Sequence, residues 1–448
     1  MKTILFLAYY YPPVNNAGTQ RLAKFIKYLP EHNFRPIVLT TNYFSRAKKN
    51  VRSFRITRRL IERQEENGAL VYRVSELRNL GLRKNKGRAE ASGYAEEANN
   101  SWKVRIKQFV KTWLIFPDPK VTWLPFAFFY SLWLIKKYKI EYVFSSFPPA
   151  TTHLLALFLK KCTGAKWIAD FRDGWCCDPL DPDIARSPSR FFLEKFLEKK
   201  VAKNCDRLLA TSPDVGEYFN DFKEKALLIT NGYDQDDFKI AEQGLKKFAD
   251  LKKCFVISHT GALHYSHPGN TPRYFFAGLK QAFGEHSEMK EKTRVFFLGN
   301  LTPQEKKMAH QMGLGTRVKV LGLKSHLESI RYRLISDVLL LIDRPIQARS
   351  SYIHGKVFEH LASRKTILAL LPSGACRDFL EKLGVGEIVE PQDISGIAQK
   401  LWELFCEWRK GGILRYELSD AELERFERRN LTKKLAEVLD AVPPDKGG

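Results

Sequence analysis

The sequence lacks the features that mark secreted and membrane-spanning proteins. Its seven cysteines are scattered along the chain without a Cys-x-x-Cys spacing, and their number is odd. No apolar run reaches the roughly 20 residues that a bilayer crossing needs. The apolar start, MKTILFLAYYYPP, is followed by no small-residue cleavage site. We therefore expect reduced thiols, a first buried strand instead of a signal peptide, and a cytoplasmic protein.

Two ligand signatures are also missing. No GxGxxG follows the first apolar run, which disfavours a dinucleotide-dependent dehydrogenase. The Asp-x-Asp in the stretch DPLDPD lies in a proline loop. The sequence therefore predicts neither a metal nor another cofactor.

Acidic residues are in deficit, with 50 Asp and Glu against 74 Lys and Arg, a net charge of +24. Such a charge predicts an anionic partner: nucleic acid, anionic lipid or a phosphorylated substrate. Nucleic acid is disfavoured because no aromatic-basic reader motif is present and the charge is concentrated in one segment. That segment, residues 46–111, has 18 basic and 7 acidic residues. The whole segment breaks the alternation of predicted strands and helices, and within it RNLGLRKNKGRAEASGYAEEANN (78–100) is polar enough to be a flexible insertion.

The stretch WKVRIKQFVKTWLIF (102–116) interleaves aromatic and basic residues. Part of its spacing forms one apolar helix face, which suits an interfacial helix on anionic lipid. The alternative is a helix that packs on the N-terminal domain with solvated charges. The apolar stretch 121–135 contains a proline and is too short to span, but it too suits a membrane interface. We expect a peripheral protein on the cytoplasmic face of the inner membrane.

Apolar runs of strand length alternate with amphipathic helical stretches in two successive series. This alternation predicts two doubly wound α/β domains, at 1–238 and 250–417, that face a cleft, and a C-terminal helix and tail at 418–448. The basic insertion interrupts the first domain.

Two loops are candidate anion sites. In YYYPPVNNAGTQRLAKF, a strand ends and a helix begins near Thr19, and Gly18 would let a phosphate approach the backbone. An ordinary β–α turn is the alternative. In HGKVFEHLASRKTILAL, Lys356 is in a first helical turn and Glu359 shares its face. A lysine for phosphate and a carboxylate for a ribose diol describe a nucleoside diphosphate site. The alternative is a surface ion pair.

Several motifs in this order resemble glycosyltransferases of the GT-B fold, and more narrowly glycosyltransferase family 4. The motifs are YYYPPVNNAGTQR, PDPKVTWLPFA, SSFPPATTH, DFRDGW, ATSPDVGEYF, ITNGYDQDDF and KVFEHLASRKTILAL. The resemblance covers nearly the whole chain except 46–111. It implies a C-terminal domain that binds a nucleotide-sugar donor, an N-terminal domain that binds the acceptor, and a terminal helix that crosses back to the N-terminal domain.

The resemblance also implies roles for single residues. Gly18 matches the glycine loop that faces the donor phosphates, and Glu359 matches the second glutamate of the Glu-x7-Glu pattern, which binds the ribose. The first glutamate is replaced by Ser351. The Arg and Lys that usually follow the first C-domain strand are replaced by Ala262 and Pro268, with His264 and His267 as the nearby cations. Lys356 would then neutralise much of the diphosphate charge.

The DFRDGW motif places Arg172 and Asp173 at the end of an N-domain strand. Asp173 is expected to orient an acceptor hydroxyl, and Arg172 to hold an acceptor phosphate or Asp173 itself. A structural Arg–Asp pair is the alternative. The predicted donor contacts are Gly18, Thr19, Gly261, His264, Ser351, Lys356, Val357 and Glu359.

The resulting expectation is a metal-independent glycosyltransferase, retaining by resemblance. It would move a sugar from a nucleotide-sugar to a glycan or lipid-linked acceptor at an anionic membrane surface. The alternative is a degenerate scaffold of the same fold that binds a nucleotide sugar or glycan without turnover.

Overall fold

The computed structural model describes residues 1–14, 17–42, 61–66, 68–77, 116–177, 187–263, 269–299, 301–346, 349–412 and 418–442. The chain divides into two compact units. Unit 1 comprises Met1–Thr230 and Arg429–Gly448, and unit 2 comprises Asn231–Arg428. Each unit is built on one mostly parallel sheet with helical crossovers, which confirms the predicted pair of Rossmann-like folds.

The first unit follows the predicted alternation of strands and helices. Its elements are β1 (Lys2–Leu7), α1 (Ala17–Tyr28), β2 (Phe34–Thr41), β3 (Ile61–Glu66), β4 (Ala69–Val74), α2 (Leu124–Tyr138), β5 (Tyr142–Phe147), α3 (Ala150–Thr163), β6 (Lys166–Phe171), α4 (Pro188–Asn204), β7 (Arg207–Ala210), α5 (Pro213–Tyr218) and β8 (Ala226–Leu228). The strand order is β3-β4-β2-β1-β5-β6-β7-β8. All neighbours are parallel except β3 and β4, and Leu5 of β1 lies opposite Ile37 and Val143.

Part of the basic segment 46–111 belongs to the sheet, although the sequence predicts that the whole segment breaks the strand–helix alternation. Residues 61–66 and 69–74 form the antiparallel pair β3 and β4, and β4 extends the parallel sheet beside β2. The stretch predicted to be flexible, 78–100, lies outside the described residues. The basic residue in β4, Arg73, is buried because its guanidinium donates to the carbonyl of Pro12 at 2.7 Å and pairs with Glu66 at 3.0 Å. The basic composition of this segment indicates exposed polar residues, whereas the apolar side chains of β4 pack in the core of unit 1. The interfacial helix predicted within 102–116 lies outside the described residues, except for residue 116.

The second unit repeats the architecture. Its elements are α6 (Gln235–Glu242), β9 (Phe255–Thr260), α7 (Arg273–Glu285), α8 (Ser287–Lys292), β10 (Thr293–Leu298), α9 (Pro303–Gln311), β11 (Val318–Val320), α10 (His326–Ile335), β12 (Val338–Ile342), α11 (Gly355–Ala362), β13 (Thr366–Leu370), α12 (Ala375–Lys382), β14 (Glu387–Val389), α13 (Ile394–Arg409) and α14 (Asp420–Glu424). Its six parallel strands are ordered β11-β10-β9-β12-β13-β14. The segment 231–238, assigned to the first domain from sequence, lies in unit 2, because Tyr233 and Phe238 pack in its core.

The C-terminal stretch 418–442 is two helices instead of the single long one predicted from sequence. After α14 the Phe426 carbonyl accepts a hydrogen bond from the N–H of Tyr233, and the N–H of Arg428 donates to the Tyr233 carbonyl. The chain then enters α15 (Arg428–Asp440). Leu431, Leu435 and Leu439 of α15 lie in the core of unit 1, on the same side of its sheet as α1. This packing confirms that the terminal helix returns to the N-terminal domain.

The other side of the unit 1 sheet carries α2, α3 and α4. Helix α4 buries two glutamates on its inner face. Glu194 accepts a hydrogen bond from Trp175 Nε1 at 2.8 Å, and Glu198 accepts one from the Tyr218 hydroxyl at 2.7 Å. Burial raises the pKa of Glu194 to about 7 against these hydrogen bonds, because the charged carboxylate is removed from water. No helix of the described residues is long and apolar enough to cross a bilayer.

Glu194 should make the stability of unit 1 depend on pH. Its pKa is higher in the folded than in the unfolded chain, so its contribution is complete below the unfolded value near 4.5 and is lost as pH rises through about 7. A shift of this size corresponds to about 3 kcal/mol. Replacing Glu194 with Gln should flatten the fall in unfolding free energy between pH 5 and 8, measured by urea denaturation.

The matched control is Glu217→Gln, which neutralises an exposed glutamate on α5. Equal pH slopes for the wild-type protein and Glu194→Gln would contradict the proposed burial effect.

Candidate functional site

Both sheets have a topological switch point, where successive connections leave a strand in opposite directions. In unit 1 this point lies at β1, between β2 and β5, and in unit 2 it lies at β9, between β10 and β12. Open α/β sheets bind ligands in the crevice at the carboxyl ends of these strands. Gly18 follows β1, Gly261 follows β9, and Lys356 follows β12. The predicted residues are therefore at the expected edges of both sheets.

In unit 2 the structure brings Lys356 and Gly261 together. Lys356 lies in the first turn of α11, and its Nζ is 3.2 Å from Nε2 of His259, at the end of β9. Gly261 has φ +99°, and a Cβ built on it would lie 3.5 Å from Lys356 Nζ. A side chain at this position would be strained by the positive φ, and its Cβ would be in van der Waals contact with the ammonium group. The glycine turn and the lysine thus share one small space above the sheet.

The contact with His259 fixes the state of the imidazole. His259 is buried, and burial followed by the nearby Lys356 charge lowers the pKa of His259 well below its ordinary value. The ring is therefore neutral near pH 7. A lysine ammonium only donates hydrogen bonds, so His259 Nε2 must accept and Nδ1 must carry the proton. His259 thereby holds the ammonium group in place without competing with it for an anion.

Burial and one nearby guanidinium disfavour the charged form of Lys356. Burial, and then the Arg333 guanidinium, lower the pKa of Lys356 to about 8, although Asp343 and Glu359 oppose this effect. The Lys356 residue is half-buried in unit 2. A bound anion would stabilise the charged form of this lysine, so the arrangement suits phosphate or diphosphate.

Glu359 lies one turn further along α11. Its Oε2 is 2.6 Å from Nη2 of Arg333 and its Oε1 is 3.5 Å from Nε2 of His326. The ion pair therefore forms with α10, whereas the surface-pair alternative from the sequence joined Glu359 to Lys356. Arg333 orients one carboxylate oxygen. Because His326 is farther from Oε1 than Arg333 is from Oε2, Oε1 is the oxygen better placed to accept a hydrogen bond from a ligand hydroxyl.

Sequence reasoning missed Arg333. This residue is only 4% exposed, and burial lowers the pKa of its guanidinium although Glu359 opposes that shift. Among the described residues, its Nε and Nη1 have no hydrogen-bond partner. A signal was present, because Arg333 is three residues from Ile330 and adjacent to Leu334 on the inner face of α10. A cation on an apolar helix face is a candidate for a buried functional group.

The remaining predicted donor contacts have different surroundings. Ser351 is 9% exposed, in the segment before α11. The Val357 side chain packs in the core of unit 2, and its N–H donates to the carbonyl of His354. His264 lies outside the described residues. Within the described part of the chain, no group of three or more His, Cys, Asp or Glu side chains is arranged to hold a metal ion.

In unit 1 the structure brings Gly18 and Arg172 together. A Cβ at Gly18 would lie 1.2 Å from Arg172 Nη1, so the guanidinium occupies the space that glycine leaves open. Arg172 Nη2 pairs with Asp173 at 3.0 Å. The sequence left open whether Arg172 would hold an acceptor phosphate or Asp173 itself, and in the structure it pairs with Asp173. The pair is only partly buried and lies beside the start of α1.

Asp170, in the same motif, has a structural partner that was not predicted. Arg21 and Asp170 form an ion pair at 2.9 Å, and both side chains are fully buried. Arg21 also donates to the carbonyls of Ile229 and Thr230, and Asp170 accepts from Ser146 Oγ at 2.8 Å. These bonds tie α1 to β5, β6 and the end of unit 1. Thr19 is fully buried in the first turn of α1.

Comparisons with known proteins give the fold. No family model matches the chain, and no curated protein sequence matches it. Among solved structures, HepE from Anabaena in complex with UDP and glucose superimposes with a TM-score of 0.63 at 13% identity, covering 98% of this chain and 100% of that one. Sucrose-phosphate synthase from Thermosynechococcus elongatus gives 0.63 at 12%, covering 98% of each chain.

The same architecture is found in a different class of enzyme. UDP-GlcNAc 2-epimerase from Methanocaldococcus jannaschii gives a TM-score of 0.55 at 12% identity and covers 98% of this chain and 99% of that one. The chain therefore has the GT-B fold that the sequence motifs implied. At these identities the likeness concerns the fold, and the chemistry has to be argued from the residues.

The pKa of Lys356 predicts an unusual chemical reactivity. Acylation of a lysine follows its neutral fraction, so labelling of Lys356 by acetic anhydride should level off above about pH 8. Inorganic pyrophosphate should slow the labelling, because an anion favours the protonated form. Mass spectrometry of the peptide that contains Lys356 measures both effects. Lys306, exposed on α9, serves as the internal control, and coincident pH profiles for the two lysines would refute the shift.

Proposed function

We propose that this chain is a glycosyltransferase that moves a sugar from a nucleotide-sugar donor to a glycan or lipid-linked acceptor. The observation that carries the proposal is the cluster of Lys356, Gly261 and Glu359 at the switch point of unit 2. The cluster offers a cation, an open backbone turn and an oriented carboxylate, which are the groups that bind a nucleoside diphosphate. The UDP complex of HepE supports the nucleotide part.

Lys356 is proposed to bind the donor diphosphate. The ammonium is held by His259 and lies beside Gly261, so it needs little reorganisation when an anion arrives. It would also stabilise the negative charge that develops on the departing diphosphate. Because the environment of Lys356 already disfavours a bare cation, the anion gains more there than at a solvated lysine.

Glu359 is proposed to bind the ribose of the donor. Its carboxylate is 16% exposed and is held from behind by Arg333. The Arg333 guanidinium also adds a second positive charge near Lys356. We infer that this buried arginine supplies part of the charge that is missing at Ala262 and Pro268. On unit 2 the proposed donor set also includes Ser351, Val357 and His264.

The acceptor is assigned to unit 1. Arg172 and Asp173 lie at the carboxyl end of β6, where Asp173 would orient an acceptor hydroxyl and Arg172 would hold Asp173. We propose transfer with retention and without a metal, in which the departing phosphate takes the acceptor proton. An acceptor presented at the cytoplasmic face of a membrane fits the positive charge of the chain.

A second candidate is a scaffold that binds nucleotide sugars without turnover. The observation that favours it is Ser351, which replaces a carboxylate that usually contacts the donor sugar. The epimerase likeness adds a third outcome, conversion of the sugar while it remains on the nucleotide.

A panel of nucleotide sugars distinguishes these functions. Incubation of the purified chain with each donor, followed by chromatography, should yield a free nucleoside diphosphate for at least one of them, through slow hydrolysis or transfer. A shift in melting temperature without any turnover would favour the scaffold. An altered sugar that is still attached to the nucleotide would favour the epimerase.

Two substitutions should affect different parts of the donor. Glu359→Ala should weaken binding of the nucleoside diphosphate and of the bare nucleoside alike, by about 1.5–3 kcal/mol, because it removes hydrogen bonds to a charged group. Lys356→Ala should weaken binding of the diphosphate much more than binding of the nucleoside. Isothermal titration calorimetry with both ligands measures the two losses.

Glu328→Ala on α10 is the matched control, since Glu328 pairs with Lys247. Thermal melts must show that each variant is folded, because Glu359 also compensates Arg333. Equal losses for both ligands in Lys356→Ala would exclude the phosphate role. Unchanged affinity in a folded Glu359→Ala variant would leave that residue as a structural partner of Arg333.

A further inference from the structure

Helix α4 departs from the ordinary polarity of a surface helix at four positions. Its two glutamates, Glu194 and Glu198, are buried, whereas Phe192 and Phe196 are 70% and 54% exposed. The two phenylalanines are four residues apart and therefore share the outer face of the helix. A helix that only covered a sheet would gain free energy from the opposite arrangement. The exposed phenylalanines therefore indicate a surface that meets something else.

The neighbouring helices continue this surface. Helix α2 packs against α3, α3 packs against α4, and all three cover the same face of the unit 1 sheet. Phe129 and Trp133 of α2 are 69% and 44% exposed and are again four residues apart, and Phe158 of α3 is 44% exposed. Most of the large exposed aromatic side chains among the described residues thus belong to three adjacent helices, here called the aromatic face.

The aromatic face is positively charged. Its exposed lysines are Lys136, Lys137, Lys161, Lys195, Lys199, Lys200 and Lys203. Helices α2 and α3 contain no acidic residue, and both acidic residues of α4 point inward. Lys137 Nζ lies 4.4 Å from the centre of the Trp133 ring, and Lys200 Nζ lies 5.0 Å from that of Phe196. The apolar rings and the cations are therefore intermixed.

We propose that the aromatic face docks on an anionic lipid surface. Aromatic rings enter the interface between headgroups and acyl chains, while lysines reach the phosphates around them. The absence of exposed acidic groups on these three helices favours a uniformly anionic partner over a protein surface of mixed charge. The exposed phenylalanines lie between lysines on rigid helices, so they can insert below the lipid headgroups. Binding to nucleic acid would make no use of such insertion.

The aromatic face lies on three helices of unit 1, and none of its residues is assigned to the donor. It does not require that the chain be a glycosyltransferase. If it is one, the docked face would bring unit 1, the proposed acceptor side, to the membrane. Failure of membrane binding and failure of sugar transfer are therefore separate results.

Vesicle flotation of the full chain tests the proposal. The protein should float with phosphatidylglycerol-rich vesicles at low salt, float less at high salt, and stay unbound with pure phosphatidylcholine. Phe192→Ser combined with Phe196→Ser should lower the vesicle partition coefficient about tenfold or more, since two exposed rings can no longer insert. Lys199→Gln combined with Lys203→Gln should weaken binding and reduce its salt dependence.

Matched controls lie in unit 2. Ile240→Ser with Leu323→Ser removes two equally exposed apolar side chains, and Lys306→Gln with Lys307→Gln removes two exposed charges. Both control variants should bind vesicles as the wild-type protein does. The proposal is overturned if the wild-type protein ignores anionic vesicles, or if the phenylalanine variant binds them unchanged. Gel filtration adds one more decisive outcome: a wild-type oligomer that the phenylalanine variant disrupts, without lipid binding, would make this face a contact between copies of the chain.

Discussion

The buried ion pair between Arg21 and Asp170 is the interaction on which the carboxyl-end edge of the unit 1 sheet depends. Both side chains are completely removed from solvent, Arg21 also donates to backbone carbonyls after β8, and Asp170 accepts from Ser146 of β5. Removing one partner of such a pair typically costs 3–5 kcal/mol, because it leaves a buried charge without compensation. The pair thereby fixes the start of α1 relative to β5 and β6. The Gly18–Arg172 approach, a contact without room for a methyl group, depends on that placement.

Unit 2 uses buried charge in another way. Burial lowers the pKa of both Lys356 and Arg333, Arg333 lowers that of Lys356 further, and the carboxylate beside them, Glu359, pairs with Arg333. The neighbouring His259 is neutral and adds no charge. Two such desolvated cations are stabilised by a bound anion. Perturbed lysines of this kind are common at functional sites for this reason.

Helix α4 connects the stability of unit 1 to its surface. Two inward glutamates cost desolvation energy, and two outward phenylalanines forgo burial, so the helix is a poor solution for a protein that only has to fold. Its inner hydrogen bonds to Trp175 and Tyr218 reduce the first cost. The free energy forgone by the exposed phenylalanines is recovered only when the outer face of α4 contacts an apolar environment. The buried residues of α4 therefore affect the stability of unit 1, whereas its exposed residues affect what the helix surface contacts.

The sequence by itself determined the order of most strands and helices, the two Rossmann-like folds, the position of Gly261 after β9 and those of Lys356 and Glu359 on α11, because apolar periodicity is local. It did not predict strands β3 and β4, where basic residues break the apolar alternation, and it predicted one continuous helix over 418–442, where the structure has two. Only the tertiary structure decided which charges meet. Arg333 reaches Glu359 and Arg21 reaches Asp170 across long separations in sequence, and α4 turns its glutamates inward. These pairings depend on how helices rotate against the sheet, and no local pattern specifies that rotation.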